Sequence, residues 1–177
     1  MPVLSEREIH TSRLTLRVPS ESDRECLRKI LAEPETTRPA GFAPVSDEKF
    51  DEFYETLTSY DACYAVVLGD ECIGYVHVNP YKLDDPVFAG KKLCTLGFLI
   101  GRGHLRRGYG SEAVLAFTKK LLTVFDYVFG DYFAENTASG RTLAKCGFVK
   151  FDEYTMYFDA LGEKKRVIST LYSPHNA

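Results

Sequence analysis

The sequence predicts a single α/β (α+β) domain with a mixed, mostly antiparallel sheet of about seven strands and about four flanking helices. Its 177 residues suit one full-sized core. Hairpin-like strand pairs lie towards both ends of the chain, and one strand–helix–strand crossover lies in the middle. Strands joined by tight turns run antiparallel, whereas a helical crossover joins parallel strands. We therefore expect one domain over 1–177, with a frayed tail at 173–177.

The first half of the chain predicts one strand, two helices and a hairpin. The first segment alternates apolar and polar side chains, which is typical of a strand. Ser22 and Glu25 then form a capping-box pattern that opens a helix, and Pro34 ends that helix. A second helix and two β-rich runs around a Gly-Asp-Glu turn follow. The expected strands are 8–18, 63–68 and 72–78, and the second helix is about 46–59.

The second half of the chain predicts the crossover and a closing hairpin. An apolar strand precedes a glycine-rich loop and an amphipathic helix, and another strand follows that helix. A short helix then ends at Gly147, which is typical of a left-handed helix cap. Two β-rich segments at the end face each other across a turn. The expected strands are 93–100, 127–134, 148–158 and 166–172, and the helices are 111 to about 123 and 137–145.

The glycine-rich loop between Ile100 and Ser111 carries the strongest chemical signal in the sequence. It contains four glycines and the adjacent Arg106 and Arg107, and a helix is expected to begin at Ser111. Backbone N–H groups at a helix start are unpaired, and the helix dipole adds partial positive charge there. Together with the arginines, this arrangement suits a phosphate group. The sequence therefore predicts a phosphorylated ligand at this loop.

Two nucleotide-binding motifs match the loop only in part. Its glycines have P-loop spacing, but Tyr109 stands where the P-loop lysine is required. The segment Gly108–Ala113 fits the dinucleotide pattern GxGxxA, with Asp126 or Asp131 roughly 20 residues further on. That motif should follow its strand almost directly, yet seven residues intervene here, and hairpins precede it. A turn that only reverses the chain is the remaining alternative, and the two arginines weigh against it.

Composition and charge argue against several classes of function. The net charge of −3 gives no general attraction to nucleic acid or to an anionic membrane surface. No apolar run approaches the roughly 20 residues needed to span a bilayer, and the first residues contain no secretory signal pattern. The five cysteines form no CxxC pair, and the four histidines have no metal-ligand spacing. We expect a cytoplasmic monomer or homodimer without a metal ion.

Six motifs in chain order give the sequence a family resemblance. The first is the opening strand TSRLTLR, and the last is the pair ENTAS and KCGF. In this order they resemble the GNAT acyl-CoA N-acetyltransferases, most of all the branch with the ribosomal-protein N-terminal acetyltransferases (the Rim type). The resemblance covers nearly the whole chain. The matching segments are Thr11–Arg17, Glu33–Thr37, Ile73–Tyr75, Leu96–Ile100, Gly108–Ala113, and Glu135–Ser139 with Lys145–Phe148.

The resemblance implies a GNAT-like fold whose two central parallel strands splay apart to admit acetyl-CoA, the co-substrate. The pantetheine arm would pair with strand backbone like an extra strand. Backbone N–H groups of the first strand would polarise the thioester carbonyl, and those of the loop would hold the pyrophosphate. The implied cofactor-binding residues are Phe98, Leu99, Ile100, Leu105, Arg106, Arg107, Gly108, Tyr109, Gly110, Ser111, Asn136 and Ser139.

The resemblance also implies acetyl transfer to a primary amine, of a protein N-terminus or a small molecule, by direct attack in a ternary complex. Ser139 is the implied general acid towards the leaving thiolate, since the helix 137–145 contains no tyrosine. His77 is a candidate base. The loop 36–44, the second helix and the closing hairpin would form the acceptor site. Its candidate lining residues are Phe42, Tyr81, Tyr154 and Tyr157.

Two positions depart from the family pattern. Leu105 stands where glutamine or arginine is usual, in a contact that backbone atoms mainly make. Thr95 stands where the Rim-type strand commonly carries glutamate, so no role of that carboxylate transfers to this chain. A non-catalytic acyl-CoA sensor with the same fold is therefore the alternative function.

Overall fold

One eight-stranded sheet with helices on both faces forms the protein in a computed structural model, which describes residue 4, residues 7–59 and residues 63–173. The strands are β1 (Glu8–His10), β2 (Leu14–Arg17), β3 (Cys63–Leu68), β4 (Glu71–Tyr81), β5 (Leu93–Ile100), β6 (Tyr127–Phe133), β7 (Val149–Phe158) and β8 (Glu163–Tyr172). The α-helices are α1 (Arg24–Ala32), α2 (Pro34–Thr37), α3 (Asp47–Ser59), α4 (Tyr109–Leu121) and α5 (Thr137–Lys145). Across the sheet the order is β1-β2-β3-β4-β5-β6-β8-β7.

The prediction of a mixed, mostly antiparallel sheet is confirmed, with differences at two turns. The expected first strand 8–18 is two strands, because Thr11 and Leu14 close a turn through a backbone hydrogen bond of 2.9 Å. Pro34 follows α1 as expected, but it also begins the short helix α2. Proline is tolerated there because the first N–H of a helix has no intrahelical acceptor.

The two faces of the sheet bury separate apolar clusters, because successive strand residues point to opposite sides. In β4, Val76 packs on the α4 and α5 side, whereas Tyr75 packs on the α1 and α3 side. Phe117 of α4 and Phe50 of α3 are fully buried in these two clusters. Burial of such a side chain contributes about 1.5–3 kcal/mol. The helices are therefore fixed to a rigid sheet from both sides.

The two parallel strands separate halfway along their length. β5 pairs with β6 only from Leu93 opposite Tyr127 to Thr95 opposite Phe129. On its other side, β5 pairs with β4 over its full length. A Cβ at Gly74 of β4 would collide with the carbonyl oxygen of Leu99, so glycine is required for this close approach. The expected splay is confirmed, and it opens between the ends of β5 and β6.

The cysteines, the helices and the end of the chain add three further observations. All five cysteines are free thiols, and four of them are buried. Within the described residues, no helix is long and apolar enough to cross a membrane. Of the expected tail at 173–177, Ser173 is buried, and residues 174–177 lie outside the described part of the chain.

Candidate active site

A cavity of about 1170 Å³ opens where β5 and β6 separate. Residues from β4, β5, β6 and β7, from the start of α4, from α3 and α5, and from the segment around α2 line it. All but one of the residues predicted from the sequence to bind the cofactor or act in catalysis lie in its wall. The splay thus brings together side chains that are far apart in the sequence.

The start of α4 forms one end of the cavity. Gly108 is the residue before the helix, with a φ of 82°, which a residue with a Cβ adopts only with strain. The first helical bond runs from Glu112 N–H to the Gly108 carbonyl oxygen at 3.1 Å. The N–H groups of Tyr109, Gly110 and Ser111 therefore have no backbone acceptor within the described chain, and these residues line the cavity. This geometry can bind an anion.

An ion pair with the β1–β2 turn holds the start of α4. The Arg13 Nε–H donates to Glu112 Oε2 at 2.7 Å, and the Thr11 hydroxyl donates to Glu112 Oε1 at 2.6 Å. Arg13 also donates to the Arg107 carbonyl oxygen at 3.0 Å, and its guanidinium lies 4.6 Å from the Tyr109 ring centre. Burial raises the pKa of Glu112, but the hydrogen bonds outweigh it and the pKa lies below its usual range. Sequence reasoning missed this support, although Arg13 lies in the first family motif.

Four cations line the same region of the cavity. Arg102 and Arg106 come from the loop, and Arg141 and Lys145 come from successive turns of α5. The α5 pair was not predicted, although its i, i+4 spacing places both side chains on one helix face. Arg107 was predicted to bind the cofactor, but it is exposed and does not line the cavity. The backbone turns on either side of Arg107, because Arg106 and Gly108 have positive φ angles of 63° and 82°.

The residues predicted at the start of α5 lie in the cavity wall. Asn136 caps the helix, with its side-chain oxygen accepting from the Ser139 N–H at 3.2 Å. The Asn136 amide also donates to the Pro39 carbonyl oxygen at 3.2 Å, which ties α5 to the segment after α2. The Ser139 hydroxyl has no hydrogen-bond partner among the described residues, so it is available to a ligand.

His77 lies against the middle of β5. It is registered with Gly97, and a Cβ on Gly97 would collide with the imidazole ring. The Nδ1 atom of His77 is buried and has no hydrogen-bond partner in the described chain. Burial lowers the pKa of the imidazole. His77 is therefore a neutral imidazole in the cavity wall near neutral pH.

The other end of the cavity is formed by β6 and β7 and by the segment around α2. Asp131 of β6 lines it and accepts hydrogen bonds from the Ser169 hydroxyl at 2.7 Å and the Tyr154 hydroxyl at 3.3 Å. Asp131 is exposed to the cavity, where partial desolvation of its carboxylate raises the pKa against these two hydrogen bonds. Of the four aromatic residues expected here, Phe42 and Tyr154 line the cavity, whereas Tyr81 and Tyr157 do not.

One cysteine lies in the described cavity wall. Cys63 is the cysteine that lines the cavity, and burial raises the pKa of its thiol to about 12. Such a thiol is almost entirely protonated near neutral pH and is a poor nucleophile. Thr95, at the position of the family glutamate, pairs with Asn79 and Phe129 and is not a lining residue. No cluster of three or more metal-ligating side chains occurs within the described residues.

Solved acetyltransferases share this fold. An acetyltransferase of the GNAT family from Bacillus anthracis superposes with a TM-score of 0.82 at 17% identity, covering 94% of this chain and 98% of that one. Spermidine N-acetyltransferase of Vibrio cholerae, in complex with CoA and spermine, gives 0.75 at 15% identity, covering 94% and 98%. Mycobacterium smegmatis RimJ, in complex with CoA-disulfide, gives 0.72 at 13% identity, covering 92% and 82%.

Sequence comparison identifies the family. No curated protein matches the chain significantly. The family model described as the acetyltransferase (GNAT) domain matches residues 13–149, a range that includes the loop, both splayed strands and α5. This match confirms the resemblance that the six motifs indicated. The chain belongs to the GNAT acetyltransferase family.

Proposed function

We propose that this protein transfers the acetyl group of acetyl-CoA to a primary amine by direct attack within a ternary complex. The observation that carries the proposal is the single cavity that joins a cationic, N–H-rich end at α4 and α5 to an aromatic end that contains a carboxylate. A thioester held at the splay would lie between these ends. The amine would then approach it from the aromatic end.

The cationic end fits the phosphates of coenzyme A. The free N–H groups of Tyr109, Gly110 and Ser111 suit the pyrophosphate. Arg106, Arg141 and Lys145 supply further positive charge along the wall. The exposed Arg107 contributes its carbonyl oxygen to the Arg13 contact instead. We therefore revise the predicted cofactor-binding set by leaving out the Arg107 side chain.

The unpaired ends of β5 and β6 fit the pantetheine arm and the thioester. Phe98, Leu99 and Ile100 line the cavity beyond the last residues that pair with β6. Their side of β5 is open to another extended chain, which can pair with strand backbone as an added strand does. A backbone N–H in this stretch would donate to the thioester oxygen and stabilise the negative charge that develops there.

Proton transfers complete the proposed chemistry. Ser139, whose hydroxyl is unpartnered within the described chain, would protonate the leaving thiolate. His77 is the candidate base from the sequence, and its imidazole is neutral near neutral pH, although burial lowers its pKa and so disfavours the protonated form. Direct attack is favoured over an acetyl-cysteine intermediate because the pKa of the Cys63 thiol is raised to about 12.

Release of free coenzyme A with a panel of amines tests this proposal. We expect thiol release that depends on both acetyl-CoA and an amine, with polyamines, aromatic alkylamines and short peptides as probes. Calorimetry with acetyl-CoA alone serves as the control for cofactor binding. Tight acetyl-CoA binding without turnover on any amine would contradict the proposal and favour the sensor alternative that Thr95 leaves open.

A further inference from the structure

Asp131 stands at the point where the parallel strands separate. It lies two positions beyond Phe129, the last residue of β6 that pairs with β5. The equivalent position on β5, two beyond Thr95, is Gly97, and Gly97 is registered with His77 of β4. Side chains at equivalent positions of neighbouring strands share a face of the sheet. Asp131 and His77 therefore face the same side of the sheet, on either side of the splay.

Two hydroxyl groups orient the Asp131 carboxylate by hydrogen bonds. Neither of them neutralises its charge. Ser169 of β8 is registered with Asp131 and donates to Oδ1 at 2.7 Å, and Tyr154 of β7 donates to Oδ2 at 3.3 Å. Within the described chain no lysine, arginine or histidine forms a salt bridge with Asp131. A carboxylate that is oriented but not neutralised can accept a cation from outside the protein.

The surroundings of Asp131 define what kind of cation fits. The cationic side chains of the cavity belong to the loop and α5, whereas Asp131 and Glu35 are its two lining carboxylates. On the face of the sheet that carries Asp131, the other lining residues of β6 and β7 are apolar or aromatic. They are Phe133, Tyr154, Met156 and Phe158. This environment suits an ammonium group carried on an apolar or aromatic body.

We propose that Asp131 binds the protonated acceptor amine and takes its proton, and that the acceptors are primary alkylammonium compounds with an apolar or aromatic body. This inference rests on the proposed acetyl transfer and assigns the base and the acceptor class within it. His77 is less suited to the role, because burial without a partner for Nδ1 disfavours its protonated form.

Each proton that leaves the amine has an acceptor in the proposed reaction. One N–H proton of the ammonium moves to a carboxylate oxygen of Asp131, and the freed lone pair forms the C–N bond to the thioester carbon. The C–S bond then breaks. The Ser139 hydroxyl donates its proton to the leaving sulfur. It then receives the second proton that the attacking nitrogen loses. Asp131 afterwards releases its proton to solvent, so the products are the amide and free coenzyme A.

The pH dependence of kcat/KM depends on the titratable groups that face Asp131. These are Tyr81 and His77 on β4 and Tyr154 and Asp152 on β7. Burial, and after it the negative charges of Asp131 and Asp152, raise the pKa of both tyrosines. Asp131 must be deprotonated to bind the ammonium, so kcat/KM falls as the pH drops through its pKa, which lies above the usual aspartate range. Removal of a hydroxyl donor destabilises the carboxylate and raises that pKa further.

Asp131→Asn tests the assignment, with phenethylamine as the substrate and phenethyl alcohol as its uncharged analogue. We expect kcat/KM for phenethylamine to fall about 100-fold or more, while acetyl-CoA affinity stays the same. Ser169→Ala and Tyr154→Phe should shift the acid limb of the pH profile upwards. Asp159→Asn, which removes an exposed carboxylate outside the cavity in the turn between β7 and β8, should change kcat/KM by no more than about twofold.

Binding to the coenzyme A complex gives a readout that does not require turnover. Wild type should bind phenethylamine more tightly than phenethyl alcohol, and Asp131→Asn should lose this preference. If Asp131→Asn keeps both the preference and the wild-type pH profile while phenethylamine is acetylated, the role of Asp131 is wrong but acetyl transfer stands. If wild type shows the preference through Asp131 but no amine is acetylated, the ammonium site stands and the proposed enzymatic function fails.

Discussion

The two ends of the cavity present different kinds of polar groups. At the α4 end, backbone N–H groups and two left-handed residues, Arg106 and Gly108, lie within one short loop. At the β6 end, the polar groups are the side chains of Asp131, Tyr154 and Ser169, which come from three strands. Glycine spacing in the local sequence predicts the first arrangement, whereas strand register produces the second. Under the proposed function, phosphate binding would therefore depend on loop conformation, and acceptor binding would depend on sheet topology.

The largest effect at the α4 end is expected for Gly108→Val. Valine at a φ of 82° is strained, and its Cβ would lie 3.3 Å from a guanidinium nitrogen of Arg13. A strain of roughly 1–2 kcal/mol would displace the loop, so acetyl-CoA affinity should fall about tenfold or more by calorimetry. Gly103→Ala is the matched control, since nothing lies within 4 Å of its added Cβ. Equal losses in both variants would contradict the role of loop conformation.

Ser139→Ala should separate catalysis from binding. The Ser139 hydroxyl has no partner among the described residues, whereas its N–H keeps the Asn136 cap. We expect kcat to fall about tenfold, at the low end for a general acid because a thiolate is a good leaving group. Acetyl-CoA affinity should change little. A loss of affinity equal to that of Gly108→Val, with kcat unchanged, would show that Ser139 only binds the cofactor.

Glu112→Gln should have the smallest effect on activity, and its effect on stability should have a defined pH signature. Hydrogen bonds from Thr11 and Arg13 lower the pKa of Glu112. The stabilisation of the folded protein by the Glu112 carboxylate is therefore complete at pH values above the usual pKa range of glutamate. It is lost as the pH falls through the lowered pKa. The variant should lower the free energy of unfolding by roughly 1–3 kcal/mol near neutral pH, and the difference from wild type should shrink in acid.

Chemical denaturation at several pH values measures this difference. Glu48→Gln, which removes an exposed carboxylate from α3, is the matched control and should change stability by no more than about 0.5 kcal/mol. A pH-independent difference for Glu112→Gln would mean that the charge of Glu112 does not stabilise the start of α4.

The sequence predicted the residues that line the α4 end of the cavity better than those that line the β6 end. Gly108 and Gly110 report backbone conformation directly, and apolar periodicity reports the strands and helices around them. Asp131 and Ser169 are 38 positions apart and meet only because β6 pairs with β8. The Arg13–Glu112 contact spans 99 positions in the same way. No local pattern marks such pairs. Arg107 shows that even an arginine of the glycine-rich loop can face away from the cavity.

Initial rates of coenzyme A release, measured while acetyl-CoA and phenethylamine are both varied, distinguish direct attack from transfer through an acetyl-enzyme. Direct attack in a ternary complex predicts double-reciprocal lines that intersect, and Cys63→Ala should keep this pattern. Parallel lines that depend on Cys63 would show that an acetyl-cysteine intermediate forms, and direct attack would then be wrong.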